Sequence, residues 1–227
     1  MPLLRTGRRY QSCCGRVICS GCIYAPRYDN QGNKVDNDKQ NECAFCRTLA
    51  PRTDEESIKR LNKRMEAKDP LAIHNLGYFY NEGLRGLPQD RTKGLELLHR
   101  ARELGYSQAY TSIGFAYHYG EGVEVDKKKA IHYYELAAME GDSYARNNVG
   151  LMEEDTGNID RAIKHYLIAA QGGEAVSVKN IQRLYLNEHA TKEDYTKALQ
   201  LYQEYLGEIK SDQRDKAAAY DDQFRYY

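Results

Sequence analysis

The sequence lacks a long apolar run: no stretch approaches the roughly 20 apolar residues that cross a bilayer as a helix. The first ten residues lack the apolar segment of a signal peptide, because arginines follow a short Pro-Leu-Leu run. Neither charge sign is in excess, with 33 Lys+Arg against 33 Asp+Glu, so the charge balance does not favour nucleic acid or an anionic membrane. We expect a soluble intracellular protein, cytoplasmic or nuclear, that binds neither.

Catalytic signatures are absent as well. The chain contains no G-x-S-x-G motif, no phosphate-binding Gly-Lys-Ser/Thr loop and no dinucleotide fingerprint. None of its six histidines lies in an H-E-x-x-H or C-x-x-C-H context. These absences favour a protein that is not an enzyme and has no catalytic residues of its own.

The cysteines, by contrast, are concentrated in one segment. All six lie between positions 13 and 46. Disulfides usually staple the domain they serve, so a cluster this local indicates a metal site. Two C-x-x-C pairs, Cys19/Cys22 and Cys43/Cys46, are separated by twenty residues, which is typical of zinc. Four thiolates would form a closed structural site, and the zinc would supply folding energy to a polar segment.

Residues 71–211 repeat one pattern with periods of 37, 36 and about 32 residues. One part of the pattern reads Ala72-x-x-x-Leu76-Gly77-x-x-Tyr80 and then Ala109-x-x-x-Ile113-Gly114-x-x-Tyr117. A second part reads Asp90-x-x-Lys93 and then Asp126-x-x-Lys129. In a third part, an alanine precedes a glycine by four positions, as Ala101 and Gly105 and again as Ala137 and Gly141. The third copy has lost its inter-helix loop, and a decayed fourth copy begins near Ser177.

Each copy is predicted to form a helical hairpin. Apolar residues at i, i+4 and i+8 make one stripe along a helix, and such a stripe is buried only when hairpins stack. The glycine beside the leucine or isoleucine, Gly114 in the second copy, lets the neighbouring helix approach closely. The expected boundary residues are N-caps at Asp90 and Asp126, second-helix ends at Gly105 and Gly141, and left-handed turns at Gly83 and Gly122.

This pattern resembles the Sel-one-like (Sel1) repeat, a relative of the tetratricopeptide repeat. The resemblance covers about 71–211 and implies a curved α-solenoid that acts as an adaptor for protein complexes. We therefore expect a mostly α fold, a right-handed α-solenoid of stacked helical hairpins with a small N-terminal zinc-binding module. The predicted segments are a module at 1–50, a linker helix at 51–70, repeats at 71–108, 109–144, 145–176 and 177–211, and a polar tail or capping helix at 212–227.

The cysteine segment itself resembles a RING finger that lacks its first ligand pair. The matching residues are Cys14-Gly-x-x-x-Cys19-x-x-Cys22-Ile23 and Cys43-x-x-Cys46-Arg47. Arg16 stands where the family has histidine, and Ala44 stands where it has proline. The cross-brace of that family would place Cys13 and Cys14 on one zinc with Cys43 and Cys46. The spacing in this chain equally allows a single site of Cys19, Cys22, Cys43 and Cys46, so both pairings remain open.

Two functions follow. The first is a zinc-binding scaffold that binds protein partners on a concave helical-repeat surface. The alternative is a RING-type ubiquitin ligase, or a truncated relative of one, whose repeats recruit substrate. The resemblance implies that such a ligase would contact a ubiquitin-conjugating enzyme near Ile23 and ubiquitin through Arg47.

Overall fold

The computed structural model describes residues 8–11, 13–19, 42–43, 45–46, 48–210 and 219, with backbone alone at 8–10 and 17–19. Within this part of the chain, the contacts separate two compact units. The first unit lies within Met1–Leu76 and Ile209–Tyr227, and the second is Gly77–Glu208. The predicted tail at 212–227 lies outside the described residues, apart from residue 219.

Helices make up most of the described chain, in agreement with the predicted fold class. Two antiparallel strands come first, β1 (Arg8–Gln11) and β2 (Arg16–Cys19). The helices that follow in the described residues are α1 (Asp54–Glu66), α2 (Pro70–Glu82), α3 (Arg91–Glu103), α4 (Gln108–Tyr119), α5 (Lys127–Met139), α6 (Ser143–Asp155), α7 (Ile159–Gln171), α8 (Ala175–Leu186) and α9 (Lys192–Ile209). The strand pair was not predicted from the sequence.

Side-chain caps fix where the second helices of the hairpins begin. The Asp90 carboxylate accepts a hydrogen bond from the backbone N–H of Lys93 at 2.9 Å, and Asp126 accepts one from Lys129 at 3.0 Å. Each bond satisfies an amide that the first turn of a helix leaves without an intrahelical acceptor. The structure therefore confirms both predicted N-caps.

Left-handed residues end the second helices and shape the turns between helices, as predicted. Gly105 and Gly141 follow α3 and α5 with φ of +85° and +87°. The inter-helix turn of the second repeat depends most strictly on glycine. Gly122 has φ of +73°, and a Cβ there would lie only 2.4 Å from the carbonyl oxygen of Arg91. This position therefore excludes any side chain, on grounds of both conformation and space.

The core of the second unit lies between successive helices. Each helix from α3 to α7 packs on the next helix along the chain. Gly114 on α4 lies against the ring of the buried Tyr134 on α5, and Gly150 on α6 lies against the ring of the buried Tyr166 on α7. The close approach of helices that was predicted at Gly114 is therefore present there, and it recurs at Gly150 in the next hairpin.

The third hairpin joins its helices without the longer loop of the second. Glu153 occupies the position of Tyr117 in the repeat, and its side chain is only 7% exposed. Its carboxylate accepts a hydrogen bond from the side chain of Asn158 at 2.9 Å and forms an ion pair with Arg161 at 2.8 Å. A buried carboxylate needs such partners, and here they also fix the short turn that replaces the lost loop.

Polar contacts connect neighbouring hairpins. Asn147 on α6 is buried, and its Oδ1 accepts hydrogen bonds from the hydroxyl of Ser177 at 2.8 Å and from Asn180 at 2.9 Å, both on α8. Glu154 on α6 forms a bidentate ion pair with Arg183 on α8, with N···O distances of 2.7 and 2.8 Å. The relative placement of consecutive hairpins is thus specified by directional bonds as well as by apolar packing.

In the part of the chain that the structure describes, no helix combines the length and apolarity needed to cross a bilayer. The cytoplasmic or nuclear location stays a prediction.

Candidate metal centre

The first cysteine pair lies in the turn between β1 and β2. The strands pair in the register Arg8↔Cys19 to Gln11↔Arg16. The carbonyl oxygen of Gln11 accepts the backbone N–H groups of Cys14 at 3.2 Å and Gly15 at 2.8 Å. This tight turn, with Gly15 at φ of +71°, holds Cys13 and Cys14 at the tip of the hairpin.

The second cysteine pair lies in a short closed loop. The backbone N–H of Cys43 donates to the carbonyl oxygen of Thr48 at 2.8 Å, and Glu42 forms an antiparallel bridge with Leu49. Cys46 lies inside this loop, exposed to solvent, whereas Cys43 is only 4% exposed. The loop therefore presents one buried and one exposed sulfur.

The two loops bring four sulfur atoms together. The Sγ atoms of Cys13, Cys14, Cys43 and Cys46 all lie within 4.8 Å of one another. Cys14 and Cys43 are 3.6 Å apart, and Cys13 and Cys46 are 3.4 Å apart. Tetrahedral zinc with Zn–S bonds of about 2.3 Å requires S···S separations of about 3.8 Å. The spacing of the four sulfurs therefore fits a closed four-thiolate site.

The cluster distributes protons unevenly among its thiols. Burial raises the pKa of the Cys13 and Cys14 thiols, because it disfavours the charged thiolate. Hydrogen bonds from the hydroxyl and the backbone of Thr48 lower the pKa of Cys46 to about 6. The hydroxyl oxygen lies 3.2 Å from Cys46 Sγ. Cys46 is thus the thiol of the cluster that loses its proton most readily, and a bound cation would stabilise the deprotonated form of the other sulfurs.

The remaining predicted site residues are not placed. Cys19 belongs to β2, but its side chain is outside the described part of the chain, as are the residues Cys22, Ile23 and Arg47. Among the described side chains, the structure brings together the four sulfurs of one pairing, Cys13, Cys14, Cys43 and Cys46. The other pairing involves Cys19 and Cys22, whose side chains lie outside the described part of the chain. Sequence reasoning missed Thr48, because nothing in the sequence pattern predicts the contact between its hydroxyl and the Cys46 sulfur.

The repeats carry a cluster of aromatic side chains at the surface of α4. Tyr119 is 61% exposed, and its ring lies 4.4 Å from that of Phe115 and 4.5 Å from that of His118, measured between centroids. By contrast, the repeat tyrosines Tyr134 and Tyr166 are buried in the core. Exposed aromatic clusters are typical of residues that anchor protein partners.

Relatives of known structure support the fold. The chain is similar to a Sel1 repeat protein from Oxalobacter formigenes, with a TM-score of 0.56 and 27% identity, over 67% of this chain and 64% of that one. It is also similar to a protective antigen of uropathogenic Escherichia coli strains that displays an SLR fold. There the TM-score is 0.56 and the identity 27%, over 71% of this chain and 35% of that one.

A curated relative is similar to part of the chain. ERAD-associated E3 ubiquitin-protein ligase component HRD3B of Arabidopsis thaliana is 30% identical over 115 residues, which are 49% of this chain and 18% of that protein. The chain therefore spans less than a fifth of that relative's length. The Sel1 repeat profile matches residues 70–106, 107–142, 143–174 and 183–204, more than half of the sequence. This chain belongs to the Sel1 repeat family.

Proposed function

We propose that this protein is a zinc-stabilised scaffold whose helical repeats bind another protein. The observation that carries the proposal is the run of four matched Sel1 repeats. Stacked hairpins create extended surfaces that repeat proteins use for binding. Aromatic side chains at the surface, such as Tyr119, supply anchors of large area at a low cost in conformational entropy.

The zinc assignment rests on the chemistry and spacing of the four sulfurs. Soft thiolate ligands in a tetrahedral arrangement favour zinc over magnesium or calcium, which prefer oxygen. Four protein ligands leave no open coordination position, so such an ion would be structural. The hairpin and the loop that carry the sulfurs contain few apolar residues, and metal binding would offset the entropy of ordering them.

Metal analysis of two matched variants tests both the ion and its ligands. The purified protein is expected to contain one zinc per chain at the four described sulfurs. Cys14→Ser should lose that zinc, whereas Cys22→Ser should retain it. The opposite result, with loss in Cys22→Ser alone, would support the other pairing. A wild-type protein without bound zinc would refute the assignment.

The recognition surface can be tested with two variants that each replace an exposed apolar side chain by serine. Tyr119→Ser removes the most exposed ring of the cluster on α4. Met139→Ser, at a side chain that is 78% exposed on α5, provides the control. A partner identified by cross-linking and reconstituted from purified components should bind the wild type and Met139→Ser alike, and Tyr119→Ser more weakly. Equal binding by all three proteins would exclude this surface.

A second function is favoured by the similarity to HRD3B. That protein is named as a component of an E3 ubiquitin ligase, and the cysteine segment resembles a RING finger. In this alternative, the chain takes part in a ubiquitin ligase assembly and its repeats recruit substrate. The test is ubiquitination with purified activating enzyme, a panel of conjugating enzymes and ubiquitin. Ubiquitin chains that disappear in Cys14→Ser and in Arg47→Ala would support the ligase, and their absence from every reaction would support the scaffold.

A further inference from the structure

Helix α1 contacts both cysteine-bearing segments through two arginines. Arg60 and Arg64 are four residues apart and therefore lie on the same face of the helix. Arg60 donates from Nη1 to the carbonyl oxygen of Leu49 at 2.6 Å, just after the loop that carries Cys43 and Cys46. The Arg60 guanidinium is held by Glu56, one turn earlier, at 2.5 Å. One helix face thus anchors the second cysteine loop.

The second arginine lies against the first cysteine turn. A Cβ at Gly15, the residue after Cys14, would lie 2.0 Å from Nη2 of Arg64 and 2.7 Å from Oδ2 of Asp69. Only the absence of a side chain lets the turn approach the guanidinium this closely. Gly15 also has a left-handed φ. The same glycine therefore permits both the tight turn and its close approach to Arg64.

Arg64 continues the connection to the first helix of the repeats. Its Nε and Nη2 donate to Oδ2 of Asp69 at 2.9 and 2.7 Å. The other carboxylate oxygen, Oδ1, accepts the backbone N–H groups of Leu71 at 3.1 Å and Ala72 at 3.3 Å. Asp69 therefore caps the N-terminus of α2 while it pairs with Arg64, and its side chain is only 10% exposed.

We propose that Arg64 is a positioning residue that couples metal binding at the four cysteines to the capping of α2. The inference rests on the proposed zinc site. Metal binding orders the turn at Gly15, the ordered turn holds the guanidinium in place, and the guanidinium holds Asp69 in its capping geometry. Such coupling is reciprocal, so an intact Arg64–Asp69 pair also strengthens metal binding.

The test combines zinc affinity with hydrogen exchange of the full-length protein. Zinc, delivered from a competing chelator, is expected to slow exchange of the amides in peptides that cover residues 70–76. In Arg64→Ala, zinc affinity should fall about tenfold, as it does when the supporting partners of metal ligands are removed, and the zinc-dependent protection should disappear. Lys63→Ala removes an exposed charge from the same helix and should retain both properties.

Two further variants separate coupling from general destabilisation. Arg64→Lys keeps the charge but cannot donate two parallel bonds to one carboxylate, so it should restore affinity only in part. Gly15→Ala places a methyl group against Arg64 Nη2 and Asp69 Oδ2 at a left-handed position, so the turn and the pair can no longer fit together as closely. It should abolish the zinc effect on exchange at 70–76.

The outcomes distinguish the two proposals. If the wild type binds no zinc, both the site and the coupling are wrong. If it binds zinc but exchange at 70–76 does not respond, only the coupling is wrong. Zinc-dependent protection that survives in both Arg64→Ala and Gly15→Ala would likewise refute it.

Discussion

Gly114 is the position at which added volume tests the helix packing most directly. It lies on α4 against the ring of Tyr134 on α5, which is 1% exposed. A Cβ at Gly114 would lie 2.8 Å from Cδ1 and 2.9 Å from Cε1 of that ring. Unstrained carbon contacts are about 3.5–4.0 Å. The ring has little room to withdraw, because it belongs to a buried cluster that also contains Ala130, Ala137 and Val149.

Two opposing effects set the magnitude of the change. Alanine is favoured over glycine inside a helix by about 1 kcal/mol, whereas overpacking a filled core costs about 1–3 kcal/mol. We expect Gly114→Ala to lower the free energy of unfolding by about 1 kcal/mol. Gly114→Val adds two more methyl groups and gains less in helix propensity, so its loss should reach about 3 kcal/mol.

Urea unfolding followed by far-ultraviolet circular dichroism measures these changes. Gly207→Ala is the matched control, because Gly207 lies in α9 and a Cβ there meets no atom within 4 Å. That control should gain about 0.5–1 kcal/mol from propensity alone. Unchanged stability in Gly114→Val would contradict the packing, as would a gain in Gly114→Ala equal to that of Gly207→Ala.

Three polar contacts allow further predictions that the same unfolding assay can check. Arg183 holds the pKa of the Glu154 carboxyl below its ordinary range in the folded protein. The ionised carboxylate therefore stabilises the fold above about pH 4.3, and this stabilisation is lost as the pH falls through the lowered pKa of the folded state. Glu154→Gln should therefore cost about 1–2 kcal/mol at neutral pH and progressively less in acid; an equal loss at every pH would contradict the ion pair. Asp142 caps α6 through Oδ1 at 2.9 Å, so Asp142→Ala should cost about 1–2 kcal/mol and Asp142→Asn clearly less, whereas equal losses would show that the cap is not the cause. Asn147→Ala leaves the buried hydroxyl of Ser177 without its acceptor and should lower the free energy of unfolding by about 1–3 kcal/mol. An unchanged urea midpoint would contradict this prediction.

Much of the repeat region was predictable because its signals are local. Asp90 and Asp126 cap helices through hydrogen bonds to amides three residues away. Gly105 and Gly141 have left-handed backbone conformations, which glycine adopts more easily than any other residue. The third hairpin shows where such reasoning ends. The lost loop is visible in the sequence, but the compensation by Glu153 depends on where Asn158 and Arg161 lie after the chain has turned.

The candidate site was predictable in its residue types and not in its grouping. Paired cysteines at metal-ligand spacing indicate a zinc site, yet six cysteines allow several sets of four. The assembled set joins Cys13 and Cys14 to residues about thirty positions later. Loop-closure entropy changes only slowly with length, so spacing alone could not choose this set over the set containing Cys19 and Cys22.

The sequence by itself determined that this protein is a stack of helical hairpins with a local cysteine cluster, because periodicity, caps and turn residues act over a few neighbouring positions. Only the tertiary structure brought the four described sulfurs together. It also showed that α1 joins the cysteine turn at Gly15 to the cap at Asp69 through Arg64. Contacts of this kind join residues far apart in the chain. They depend on the exact approach of folded segments, down to the absence of one side chain at Gly15, and no local pattern encodes that distance.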